Sequence, residues 1–364
     1  MSDRPRYDVV VVGGGPGGLT TALYTTRLGH RTAVFDEQGG RHSAVVDVHN
    51  LYGVSEDLSG DRLSEVAVRQ FEEYGGHFYP DAVEAVRRDG DGDGSGGRFR
   101  VEARRASVEA DRVVLATGFR DRDPDVPNLR RFTGRGLHYC LHCDAYALGD
   151  GAAFVLGRGE HAAEVAMVML NFTDDVDLLL DGDAPEWSAE AEKQLRAHPI
   201  DRVDEAVVSA FAADEAAAEP WLGGLAFADG TEREYLGGFA MYGKEYNTSL
   251  AESVGCDLAD DGAILVDDGF ETSVEGAYAV GDVTHGQNQT AVAVGDGARA
   301  GIAVHKSLRR FPRPLDELEG GDVDESDVPA AAAELRARMR RVRTYGAHAG
   351  LREPAPGRSR SDEE

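Results

Sequence analysis

Three scarcities narrow what this chain can be. It has only three cysteines, Cys140, Cys143 and Cys256, among 364 residues. A disulfide-stapled secreted fold needs a denser set, so that class is excluded. Lysine is nearly missing: Lys193, Lys244 and Lys306 are the whole complement, and the other cations among 38 are arginine. Set against 66 acidic residues, they leave a formal charge of -28. Such a balance repels nucleic-acid phosphates and anionic lipid surfaces, so neither is expected as a partner. Long apolar runs are the third absence. No stretch approaches the ~20 residues that a spanning helix requires. Met1 to Arg6 leads straight into the short run Val9 to Val12, which is wrongly flanked for an export signal. A cytoplasmic protein without a membrane partner is expected.

What the sequence does have is organised around two β-α-β patterns. Tyr7 to Val12 reads as a buried strand, followed by Gly13-Gly14-Gly15-Pro16-Gly17-Gly18. Leu19 to Leu28 has helical spacing that Gly29 stops, and Arg31 to Phe35 is a second strand ending at Asp36. A helix is expected near Asp61 to Tyr74, then short strands from Val83 to Ala116 broken by Asp89 to Gly97. That break mimics the start of a calcium loop, but Arg100 stands where a bidentate glutamate is needed, so no metal is assigned. The second pattern is strand Ala153 to Leu156, Gly157-Arg158-Gly159-Glu160-His161-Ala162, helix Ala163 to Leu170 and strand Val176 to Leu180. Strands near Ile264 to Val266 and Ala277 to Val280 precede Gly281-Asp282, and a long helix runs from Thr290 to Leu308. An acidic linker, Pro312 to Asp327, leads to a helix over Pro329 to Arg343 with Leu335, Met339 and Val342 on one side; Pro354 to Glu364 is expected to be disordered.

The first glycine run has a physical task. Gly13 permits a tight turn, Gly15 lets a pyrophosphate approach the backbone, and Gly18 lets helix and strand pack closely. The helix that follows offers amides and positive dipole to phosphate at its N-terminus. Asp36 is placed to accept hydrogen bonds from a ribose. Together with Ala116-Thr117-Gly118 and Gly281-Asp282-Val283, this run resembles the FAD domain of two-dinucleotide-binding flavoproteins. The resemblance spans roughly residues 7 to 310. It implies an α/β fold of two Rossmann-like dinucleotide-binding domains of the three-layer ββα type, the second inserted in the first. The FAD domain would comprise residues 1–118 and 240–311, the second domain 119–239, and the linker, helix and tail 312–364. By the same resemblance Asp282 would bond the ribityl chain, and the helix after it would face the flavin pyrimidine. Val83, Thr117, Gly118 and Gly281 would line the FAD pocket, and Asn50 would lie in a flavin-contacting loop.

The segment His138-Tyr139-Cys140-Leu141-His142-Cys143-Asp144 just precedes the second glycine loop. Two residues between cysteines allow a disulfide across one helical turn. A nearby cation or helix N-terminus favours thiolate attack, and a buried carboxyl can pass a proton to a leaving thiol. Zinc is disfavoured because no second pair exists, and Cys256 reads as a small packing residue. A Cys-x-x-Cys-Asp at this place resembles the low-molecular-weight thioredoxin reductases. The resemblance implies that Cys143 serves the flavin, Cys140 attacks the substrate disulfide and Asp144 is their acid–base group. His142 makes the motif similar to the Cys-x-His-Cys of protein disulfide isomerase, where a partly charged histidine favours the reduced thiolate state.

Two departures from that family stand out. Gly157-x-Gly159-x-x-Ala162 keeps the phosphate turn, yet the following strand ends in Asp181-Gly182-Asp183 where the NADPH enzymes carry a cationic cluster. Carboxylates there disfavour NADPH. NADH, with Asp181 on the ribose, or no nicotinamide at all, remain the alternatives. Gln289-Thr290-Ala291 stands at the flavin helix where the family shows an Arg-Gln pair. The expected activity is electron transfer from a donor through FAD to the Cys140–Cys143 disulfide and on to a thioredoxin-like protein. The alternatives are a dithiol oxidase that reduces O2 and a ferredoxin-linked reductase. A homodimer is expected. The scarcity of lysine beside abundant acid resembles proteins of salt-loving archaea, the alternative being an ordinary acidic cytosolic protein.

Overall fold

A computed structural model describes residues 4–37, 40–88, 98–315, 318 and 323–345. The expected hairpin tip at 89–97, with its calcium-like start, and the tail at 354–364 lie outside the described residues. The chain divides into two compact units. One gathers described residues within Met1–Ala44, Ser59–Phe119 and Tyr246–Glu364, the other Val45–Leu58 and Arg120–Glu245. The loop 45–58, expected in the first unit, therefore groups with the second, and the return crossing falls at 245/246 rather than 239/240.

The first unit is built on β1 (Arg6–Val12), α1 (Pro16–Arg27), β2 (Thr32–Phe35), α2 (Gly60–Glu73), β3 (His77–Tyr79), β4 (Val83–Arg88), β5 (Phe99–Ala103) and β6 (Ser107–Leu115). The sheet runs β3-β2-β1-β6-β5-β4, parallel from β3 to β6 and antiparallel beyond. The all-valine stretch of β1 has a reason. Val10 and Val12 enter one apolar core with Phe99 and Val113, while Val9 and Val11 enter another with Leu19 and Phe71. A strand covered on both faces reads as a continuous apolar run. Ser59 caps α2 by accepting from the Arg62 amide at 3.2 Å.

The second unit is inserted between β7 (Phe119–Asp121) and β16 (Lys244–Tyr246), which pair with each other. It holds β8 (Leu137–His138), α3 (Leu141–Asp144), β9 (Ala153–Leu156), α4 (Glu160–Met169), β10 (Val176–Leu179), α5 (Ala189–Ala197), β11 (Asp201–Val203), β12 (Val207–Ala212), β13 (Leu222–Phe227), β14 (Glu232–Glu234) and β15 (Gly237–Ala240). A parallel sheet in the order β11-β10-β9-β15-β8 faces a three-stranded antiparallel sheet, β12-β13-β14. Between them lies a core that includes Phe154, Leu156, Leu225 and Phe227.

The chain then returns to the first unit with α6 (Ser249–Val254), β17 (Ala277–Ala279), α7 (Thr290–Leu308) and α8 (Ala333–Tyr345). β17 pairs with the end of β6, whose first half serves β5. No strand forms at 264–266: Ile264 makes isolated bridges to Leu258 and Thr284, and neither partner offers a second rung. α7 crosses α1 closely because it is glycine where they meet. A Cβ on Gly297 would stand 2.3 Å from the Gly17 carbonyl oxygen, and Thr21 Oγ1 donates to both Gly17 and Gly297 carbonyls.

α8 begins four residues later than expected, since Pro329–Ala331 form a separate 3-10 turn. Of its expected apolar stripe, Leu335 packs against Gly29 and Met339 is 52% exposed. Arg338 donates to the carbonyls of Gly29 and His30, and Arg341 to those of Glu72 and Glu73. These loops end α1 and α2, whose last carbonyls need donors.

Candidate active site

The glycine loop after β1 sorts into distinct tasks. Gly13 has φ 109°, and a Cβ there would meet the Ala116 carbonyl at 2.2 Å. A Cβ on Gly18 would meet the Gly13 oxygen at 2.1 Å. Around Gly15, which caps α1, a Cβ would meet nothing within 4 Å. Two glycines are thus demanded by the protein's own backbone, and the third faces open space at a helix N-terminus. That is a cradle for a pyrophosphate. Pro16 starts the helix, where its missing N–H costs nothing. Asp36 leaves β2 beside Gly14 and, with Glu37, Ser43, Ser64 and Arg69, lines a cavity of about 590 Å³.

β6 and β17 deliver the other two motifs to the same side of the sheet. Thr117 and Asn247 exchange two hydrogen bonds of 2.7 and 2.8 Å, and Gly118, at φ 62°, lies next to Asp282. Gly281 packs within 3.5 Å of a Cβ placed on Gly17. Gln289 caps α7, Thr290 and Ala291 form its first turn, and no acid occupies that turn. These residues fit a dinucleotide. Val83 heads β4 with its side chain packed on the core, so main chain is what it can offer a ligand.

Sequence reasoning passed over His42. It lies in a 3-10 turn of residues Arg41–Ala44, and its Nδ1 is 3.4 Å from Thr290 Oγ1 at the α7 N-terminus. Burial, then the Arg41 charge, hold its pKa below the ordinary value. The Arg41 guanidinium stacks on Phe119 at 4.9 Å. Neither had a motif to announce it.

In the second unit Cys140 and Cys143 are joined as a disulfide, with Cα atoms 5.3 Å apart. β8 carries the chain to Cys140, which caps the single turn α3, and the amides of Cys143 and Asp144 both donate to the Cys140 carbonyl. His142 is exposed at the crest of that turn. Asn50, expected in a flavin-contacting loop, donates to the His142 carbonyl at 3.4 Å within this unit. The Asp144 carboxylate lies 3.2 Å from Nδ1 of His138, a residue given no role by the sequence reading. Tyr139 donates to Asp123 at 2.6 Å, and burial raises its pKa. Cys256 is buried in the first unit against Thr272, and burial raises its thiol pKa, consistent with packing.

The second glycine loop repeats the first. A Cβ on Gly157 would meet the Met241 oxygen at 2.9 Å, Ala162 is fully buried, and Gly159 caps α4 with open space around it. The residues beyond β10 differ from expectation in what they do. Asp181, at φ 56°, turns its carboxylate to the Val207 amide at 2.8 Å and to the Tyr242 hydroxyl at 3.4 Å. Burial raises its pKa. It ties β10 to β12. Arg158, inside the loop, pairs with Asp183 and with Glu186.

A family model for the pyridine nucleotide-disulphide oxidoreductases matches residues 7–297 of this chain. The chain belongs to that family. Among known members it is similar to an alkyl hydroperoxide reductase component of Pseudomonas putida, at 31% identity over 331 residues and 86% of this chain. It spans 60% of that relative's length. It is also similar to the thioredoxin reductase of Peptoclostridium acidaminophilum, at 28% identity over 82% of this chain and 96% of that one. Among solved structures, the thioredoxin reductase of Streptococcus pyogenes has 27% identity and a TM-score of 0.77, covering 85% of this chain and 100% of its own. The structure of HlmI has 26% identity and a TM-score of 0.76, covering 94% and 98%. The fold of this chain is that of the thioredoxin reductase-type structures. No helix among the described residues is long and apolar enough to cross a membrane.

Proposed function

We propose that this protein is an FAD-dependent thiol–disulfide oxidoreductase acting on the disulfide of a thioredoxin-like protein. The observation that carries it is the Cys140–Cys143 disulfide followed at once by Asp144, in a chain whose first unit keeps the full dinucleotide cradle. FAD would be held by Gly13 to Gly18, Asp36, Thr117, Gly118, Asp282 and the first turn of α7. Bound there, it supplies the two-electron redox chemistry that restores the dithiol from a donor.

In its reduced form, the Cys140 thiolate attacks one sulfur of the substrate disulfide. A mixed disulfide forms, and one substrate thiolate leaves and takes up a proton. The Cys143 thiolate then attacks Cys140 Sγ and expels the second substrate thiolate, which is also protonated. The substrate has gained two electrons and two protons, and the cysteine pair is a disulfide again. Asp144, next in sequence to Cys143, would be the acid–base group for that pair. Cys143→Ser should abolish reduction of a protein disulfide while the purified protein stays yellow with bound FAD. Unchanged turnover in that variant would remove the mechanism.

The second glycine loop bears on the donor. A 2′-phosphate would meet Asp181, Asp183 and Glu186, and the Arg158 charge there is already paired, so NADPH is disfavoured. NADH and reduced ferredoxin are the donors to compare, by the rate of flavin reduction in high salt. A second reading rests on the same acidic cradle: a small dithiol is oxidised to its disulfide and O2 is reduced to hydrogen peroxide. Anaerobic mixing with dithiols should then bleach the flavin, and an unbleached flavin rules it out. A homodimer in the cytoplasm of a salt-adapted cell completes the proposal, and light scattering in molar KCl measures the dimer.

A further inference from the structure

We infer that His138 is a positioning residue for Asp144, so that the cysteine pair is served by a histidine–aspartate dyad and not by a lone carboxylate. The inference rests on the proposed role of Asp144 and deepens it. β8 ends at His138, two residues before Cys140, the chain bends at Tyr139, and α3 brings Asp144 back to meet the ring. His138 Nδ1 lies 3.2 Å from Asp144 Oδ2.

The surroundings show that the imidazole is not there for packing. His138 is 7% exposed and pairs in the sheet with Phe239, whose ring centroid is 6.0 Å away. Its neighbour Leu137 is fully buried. An aliphatic side chain would suit that slot. Instead the site holds a ring whose Nε2 is buried without a hydrogen-bond partner among the described residues. An orphaned buried nitrogen opposes folding, so its presence calls for a compensating contact. The contact available is Nδ1 to Asp144. The ring is nearly buried while the carboxylate is partly exposed, so the imidazole backs Asp144 from the protein side. A backed carboxylate on the residue next to Cys143 is better fixed for proton transfer to a leaving thiolate.

The test is the rate at which dithiothreitol reduces the Cys140–Cys143 disulfide in the purified holoprotein. Two dithiothreitol thiols become its cyclic disulfide, and the enzyme disulfide becomes two cysteine thiols, with two electrons and two protons transferred. Samples are quenched with N-ethylmaleimide and counted by intact mass. Asp144→Asn should slow the reaction about tenfold or more. His138→Leu should slow it by a similar factor, and the double variant no further than Asp144→Asn alone. His138→Asn, whose amide nitrogen can replace Nδ1, should recover most of the loss; His138→Gln, which reaches the Nε2 position, should not. If Asp144→Asn leaves the rate unchanged, the acid–base role of Asp144 itself fails. If Asp144→Asn is slow while His138→Leu is as fast as native, or the two losses multiply in the double variant, the dyad is overturned. Should His138→Leu fail to retain FAD, the Asn and Gln pair decides, and equal rates for those two would count against the dyad.

Discussion

At the scale of single residues, Gly15 and Gly18 belong to one motif yet answer to different demands. Gly18 is pressed against the Gly13 carbonyl, so a side chain there must move backbone. Gly15 has φ −72° and open space, so the protein itself accepts a methyl. Gly18→Val should destabilise the first unit by about 1–3 kcal/mol, the usual cost of overpacking. Gly15→Ala should leave the melting temperature of the flavin-stripped protein unchanged and weaken FAD binding. Melting curves with and without FAD check both, and a Gly15→Ala protein that binds FAD as tightly as the native one would show that no phosphate comes near this backbone.

At the scale of elements, α7 and α8 are held by opposite means. α7 lies on α1 through missing side chains, and α8 is held to the ends of α1 and α2 through arginine donors. Gly297→Val would place a methine carbon 2.3 Å from the Gly17 oxygen and should splay the α1–α7 crossing, which also carries the cradle. Loss of both FAD and about 1–3 kcal/mol of stability is expected. Beneath α8, His30 Nε2 and His305 Nδ1 are 2.9 Å apart, and Arg338 reaches the His30 carbonyl. Burial lowers the pKa of His30 and of His77; Arg338 adds to both, and His305 and Arg31 add to one each. A histidine whose folded pKa is depressed contributes stability above its unfolded pKa of about 6.5, lost as pH falls through the folded value. The first unit should therefore melt at lower temperature as pH drops below about 6.5. A variant with both His30→Asn and His77→Asn should show a shallower decline, and an undiminished slope would remove these two rings as its source.

At the scale of the whole molecule, the charge of -28 is the dominant fact. At 0.1 M ionic strength charges interact over about 10 Å, and at 1 M over about 3 Å. Self-repulsion opposes the compact state, so raising KCl from about 0.1 to 2 M should raise the melting temperature. A flat or falling curve would contradict the salt-adapted reading. The ion pairs that exist are mostly exposed, such as Arg131 with Glu215 and Arg196 with Glu192, and so contribute little against that repulsion.

The local order of the chain determined a great deal. Glycine spacing after an apolar run, helix stops and the Cys-x-x-Cys-Asp segment are patterns of neighbours in sequence. The turn, the helix start and the one-turn disulfide they specify are also local, so both glycine turns and the cysteine pair were legible. Other features depended on partners far apart in sequence. Asp181 satisfies the Val207 amide, Asn50 bonds the His142 carbonyl, and α8 is anchored by arginines on distant carbonyls, although its sequence suggested an apolar stripe. No spacing rule encodes which buried polar group meets which, because that choice is made only when sheets and loops close on one another. His138 is the sharpest instance: it is an unremarked residue along the strand, and folding sets its ring against Asp144.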